Sequence, residues 1–87
     1  MYVILVYDIA DKKVSKVMRV CRQYLTHIQN SVFEGEISDS NYKELMLKLK
    51  KICNFSVDSL IIFKFRSDSL FSKEVIGCKD AEISNFI

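Results

Sequence analysis

Tyr2-Val3-Ile4-Leu5-Val6-Tyr7-Asp8 decides how the rest of the chain is read. Six apolar or aromatic residues, three of them β-branched, run without a break and stop at a carboxylate. Such a run predicts a buried β-strand. Asp8 then sits at the rim of the core, held by rigid backbone and within reach of solvent. An Asp in that place is commonly a turn former or a helix cap. It is also a candidate Mg²⁺ ligand, because Mg²⁺ prefers carboxylate oxygen and keeps several waters.

Beyond Asp8 the period changes. Val14, Val17, Cys21 and Leu25 recur at helical spacing, with Met18 and Tyr24 beside them. Lys12, Lys16, Arg19 and Gln23 fall on the opposite side, flanked by Lys13 and Arg22, and no acid occurs from Lys12 to Thr26. Asp11 is the expected N-cap. His27 to Ile37 is extended in character, anchored by Ile28, Val32, Phe33 and Ile37. Asn30-Ser31 marks a turn or a bulge, so the segment is either one kinked strand or two.

Ser38-Asp39-Ser40-Asn41 signals a second helix start, and Asn41 with Glu44 has capping-box spacing. Tyr42, Leu45, Met46, Leu49, Ile52 and Cys53 form the second apolar stripe, and the helix should end near Asn54. Val57 to Arg66 reads as a strand buried on both faces at Leu60-Ile61-Ile62-Phe63. Glu74-Val75-Ile76-Gly77 reads as a short last strand. The order predicts an α+β, ferredoxin-like βαββαβ sandwich with an additional C-terminal strand. One domain is expected over residues 1–87, with residues from about 67 onward forming a strand and tail that contact a partner subunit.

Composition narrows the function classes. A hydrophobic fraction of 49% supports a compact core and excludes a disordered chain. A chain of 87 residues buries about 60–65% of its unfolded surface, so a dimer interface would help it. No apolar run reaches the roughly 20 residues of a membrane span. No basic region precedes the first apolar run and no cleavage site follows it, so a cytoplasmic protein is expected. Cys21, Cys53 and Cys78 are odd in number and widely spaced, which suggests neither a disulfide framework nor a metal knuckle. Lys12 to Arg66 holds 11 basic and 5 acidic residues, whereas Ser67 to Ile87 holds 2 basic and 4 acidic. The central portion therefore suits a polyanion.

Two segments in order, Tyr7-Asp8-Ile9 and Ile28-Gln29-Asn30-Ser31-Val32-Phe33-Glu34-Gly35, resemble the CRISPR-associated protein two family. Its pattern is a strand ending in Tyr-Asp, a basic helix, then Val-Gln-x-Ser-Val-Phe-Glu-Gly. An amphipathic helix follows, then a strand opening Asp-Ser, matched by Asp58-Ser59. The resemblance runs from Met1 to about Arg66, and Ser-Val-Phe-Glu-Gly is its specific part. It implies a homodimer of the CRISPR adaptation machinery, which acquires spacers for antiviral defence, partners the adaptation integrase and binds DNA or RNA. It also implies a Mg²⁺-dependent endonuclease or endoribonuclease, with one Mg²⁺ shared by Asp8 of each subunit as metal ligand and catalytic residue.

Other residues carry weaker assignments. Lys12, Lys13, Lys16, Arg19 and His27 are expected at phosphates. Tyr7, Ser31 and Phe33 are expected near the cleft, with core packing the competing reading for the two aromatics. Paired arginines common in the family at the start of the first helix correspond here to Lys13 and Val14, which removes the bidentate phosphate fork. Leu25 replaces a common Gly. These departures bear on hydrolysis and its substrate more than on the fold. A DNA-binding scaffold without nuclease activity is the first alternative. An RNA-recognition module of similar topology ranks lower, because Val57 to Arg66 lacks a Gly-aromatic motif.

Overall fold

A computed structural model describes residues 1–66 and 72–77. The elements are β1 (Tyr2–Asp8), α1 (Asp11–Arg22), β2 (Thr26–Gln29), β3 (Val32–Glu36), α2 (Asp39–Ile52), β4 (Ser59–Phe65) and β5 (Ser72–Gly77). The five strands form one antiparallel sheet in the order β2-β3-β1-β4-β5. β1 lies at its centre, which is why its sequence is apolar on both faces. This is the expected α+β, ferredoxin-like architecture.

Alternation along the strands divides the sheet into two unlike faces. Val3, Leu5 and Tyr7 of β1 pack with Phe33, Leu60 and Ile62 against Val17 and Cys21 of α1 and Leu45, Met46 and Leu49 of α2. The opposite face carries Val6 and Ile61, with Ile4, Val32, Phe63 and Val75 packed beside them. Among the described residues, no helix covers that second face. Tyr2 and Phe65, cross-strand partners, meet edge to face at 6.5 Å at one end of it.

His27 to Ile37 is two strands joined by Asn30-Ser31. Asn30 takes φ of +45°, a left-handed conformation that Asn tolerates, and the register shifts between His27 and Gln29. The strand expected from Val57 begins at Ser59, because Asn54 to Asp58 forms a turn with Val57 and Asp58 both donating backbone N–H to the Asn54 carbonyl. β5 begins at Ser72 and pairs with β4 of its own chain along Ser59↔Gly77 to Lys64↔Ser72. The expected partner contact of the tail beyond Gly77 lies outside the described residues, as does Cys78.

Both helix caps differ from expectation. Asp11 is the first helical residue of α1 rather than its cap; Ala10 takes the cap position. There the Asp11 charge favours the helix N-terminus through the peptide dipoles instead. In α2 the cap is Ser38, whose Oγ accepts from the Asn41 N–H at 3.1 Å. Asn41 therefore lies in the first turn, and Glu44 is drawn away to accept from the Tyr24 hydroxyl.

Candidate functional site

Asp8 is the last residue of β1 and is exposed. As an even-numbered position it shares the helix-free face with Ile4 and Val6. Its cross-strand partner on β4 is Ser59. On the β3 side the Tyr7 N–H donates to the Ser31 carbonyl at 3.1 Å, which brings the β2–β3 turn to the end of β1. Pairing of distant strands thus gathers Asp8, Ser31 and Ser59 at one end of the sheet.

Tyr7 and Phe33 are placed differently from the expected cleft. Phe33 is 0% exposed and Tyr7 is buried, and both point to the helix side of the sheet. Their rings lie 6.2 Å apart, and His27 stacks on Phe33 at 4.8 Å. These aromatics brace the sheet behind Asp8. His27 Nε2 also lies 2.8 Å from the Asn30 carbonyl, so the histidine fastens the β2–β3 turn.

The segment after Asp8 is pinned from below by Asp58. That carboxylate is 0% exposed and accepts from Lys13 Nζ at 2.6 Å, the Asn54 N–H at 2.8 Å and the Ala10 N–H at 3.1 Å. Burial pushes its pKa up, yet the Lys13, Asn54 and Ala10 hydrogen bonds outweigh burial and hold the carboxyl below its usual value. Lys13, expected at phosphate, thus has an internal partner. Sequence reasoning saw Asp58 only as a motif residue. The available signal was a carboxylate directly ahead of a two-sided apolar strand.

Lys12, Lys16 and Arg19 are exposed on α1, as the helical wheel predicts. Among the described residues they form no ion pair, whereas Lys13, Lys48, Lys64 and Arg66 do. Three cations on one helix face leave their charge available to a polyanion. Among the described residues the two thiols, Cys21 and Cys53, offer no competing chemistry. Burial raises Cys21 to about 12 and Cys53 to about 11, which keeps both protonated and unreactive at neutral pH.

The oxygen chemistry of Asp8 suits Mg²⁺, which needs one or two carboxylates and keeps its waters. Among the described residues no group of three or more His, Cys, Asp and Glu gathers in one place. The buried Ser59 hydroxyl, without a hydrogen-bond partner among the described residues, adds a polar group opposite Asp8.

Known proteins are similar to this chain. A family model described as CRISPR associated protein Cas2 matches residues 1–73. A CRISPR-associated endoribonuclease Cas2 from Fusobacterium nucleatum is 42% identical over 92 residues, covering 100% of this chain and 87% of that protein. The protein of the same name from Thermotoga maritima is 38% identical over 82 residues, covering 94% of each. The crystal structure of Streptococcus pyogenes Cas2 superposes with a TM-score of 0.71 over 78% of this chain and 89% of that one; at 24% identity, this likeness is one of fold. The match spans β1 with Asp8, the basic α1, the Ser31–Gly35 motif and the Asp58-Ser59 head of β4, so the chain belongs to the Cas2 family of CRISPR-associated proteins.

Proposed function

We propose that the chain works as a homodimer in CRISPR spacer acquisition, binds nucleic acid through α1 and hydrolyses phosphodiesters at a Mg²⁺ shared by two Asp8 carboxylates. The observation that carries this reading is the position of Asp8. It is exposed, at the end of the central strand, on the apolar sheet face that no helix covers among the described residues. A second copy seated on that face by a two-fold axis near the end of β1 would bring the two carboxylates together. The two Asp8 carboxylates would hold Mg²⁺ there, which would supply an activated water and offset charge on the phosphate.

The chain's own residues do the rest. The β1–β4 and β1–β3 ladders hold Asp8 at the sheet end, and Asp58 fixes the turn behind it. Lys12, Lys16 and Arg19 attract the backbone without reading bases. The names of the Fusobacterium and Thermotoga relatives favour RNA as the strand that is cut. Association with an adaptation integrase belongs to the same proposal and is supported by family membership.

An Asp8→Asn variant keeps the size of the side chain and removes its charge. Divalent-dependent cleavage of single-stranded RNA should fall about 100-fold or more, by analogy with the loss of one electrostatic stabiliser. RNA binding without divalent ions should stay unchanged. Full cleavage by the variant, in a preparation free of contaminating nuclease, would leave the chain as a DNA-binding scaffold.

A further inference from the structure

Ser59 buries an orphaned hydroxyl. The residue is 1% exposed, yet its Oγ has no hydrogen-bond partner among the described residues. Burying a hydroxyl unpaired is costly, and folded proteins seldom keep such a group without a use for it.

Register limits what that hydroxyl can reach. Ser59 is the Cα partner of Asp8 on β1 and of Gly77 on β5. Directly opposed residues in an antiparallel pair point to the same face, with Cβ atoms about 4.5–5.5 Å apart. Gly77 has no side chain. A Cβ there would stand 2.5 Å from the Ser59 Cβ, so no side chain fits on that flank. Among the described residues, the one cross-strand side chain opposite Ser59 is that of Asp8.

We propose that Ser59 is a positioning residue for Asp8. Its hydroxyl donates to the inner carboxylate oxygen of Asp8 when the outer oxygen engages a divalent cation. A carboxylate can accept at both oxygens, so one can face a cation while the other accepts from the hydroxyl. Groups hydrogen-bonded to a metal ligand orient it and tune its affinity. The proposal rests on Asp8 as the cation ligand.

Titration of the full chain with Mn²⁺ alone, followed by electron paramagnetic resonance, tests it without nucleic acid or turnover. Ser59→Ala should bind Mn²⁺ about tenfold more weakly than the parent chain. Its thermal midpoint without metal should equal or exceed the parent's, because the substitution removes an unpaired buried group. Asp8→Asn should lose Mn²⁺ binding. Unchanged affinity in Ser59→Ala, with binding lost in Asp8→Asn, overturns the role of Ser59 and leaves that of Asp8 standing. A weaker affinity with a lowered midpoint makes Ser59 a packing residue and also overturns the proposal. Full Mn²⁺ binding by Asp8→Asn, or none by the parent chain, removes the Asp8 reading and the proposal together.

Discussion

Lys13 Nζ stands 2.6 Å from Asp58 Oδ2, a contact that joins the first turn of α1 to the head of β4 across 45 residues of sequence. The carboxylate is fully buried, while the lysine side chain is 23% exposed. Removing the charge from Asp58 leaves Lys13 partly desolvated and unpaired. Asp58→Asn should therefore cost about 3 kcal/mol, near the lower end for breaking a buried pair. In a double-mutant cycle by urea denaturation, Asp58→Asn with Lys13→Met should cost less than the sum of the two single changes.

The same pair makes stability depend on acid. The folded-state value of Asp58 lies below the 3.8 of an unperturbed Asp. Its contribution is thus complete above that pH and is lost as pH falls through the folded-state value, because the unfolded chain binds the proton first. The midpoint of the parent chain should fall more steeply below about pH 4 than that of Asp58→Asn. Parallel curves for the two proteins would place the acid sensitivity elsewhere.

Binding to nucleic acid should be insensitive to base sequence and strongly sensitive to salt. Charge reversal at Lys12, Lys16 and Arg19 removes three exposed cations with no internal partner among the described residues. Each lost phosphate contact should reduce the slope of log affinity against log salt by about 0.7–0.9. Circular dichroism should be unchanged, because the apolar stripe of α1 faces the other way. Retention of the parent's slope in the triple variant would make this face merely solvated and move the binding surface to another element.

Association should depend on the helix-free sheet face. Ile4 lies at its centre on β1, beside Val6 and Phe63. Ile4→Glu puts a charge where a second copy would bury it, and sedimentation at micromolar concentration should report a monomer with its secondary structure retained. A dimer that survives this change would locate the interface off this face.

Gly77 should tolerate no side chain. Its φ of +125° belongs to glycine, and a Cβ would lie 2.4 Å from the Asp58 carbonyl oxygen. Gly77→Ala should cost about 1–3 kcal/mol or detach the end of β5 from β4. Hydrogen exchange at Val75 and Ile76 would rise in the second case.

Much of the architecture was legible because local pattern and tertiary role coincide. The run ending at Asp8 is apolar at every position since β1 is the central strand of the sheet. The α1 and α2 stripes are the residues that cover its helix face. The helix caps were less legible. Asp11 and Asn41 have the right side chains for caps, yet chain geometry passed the position to Ala10 in one case and Ser38 in the other. Asn30 supported either a turn or a bulge, and only its left-handed backbone separated the two strands.

By itself, the sequence determined the element order, the buried central strand, the exposed cations of α1 and the end-of-strand carboxylate. These follow from period and composition, which act over a few residues at a time. Tertiary structure alone decided what surrounds that carboxylate. It turned Phe33 and Tyr7 into core, took Lys13 for Asp58 and set Ser59 opposite Asp8. Each of those outcomes depends on strand register between segments far apart in the chain. A shift of one residue would send every side chain of a strand to the other face.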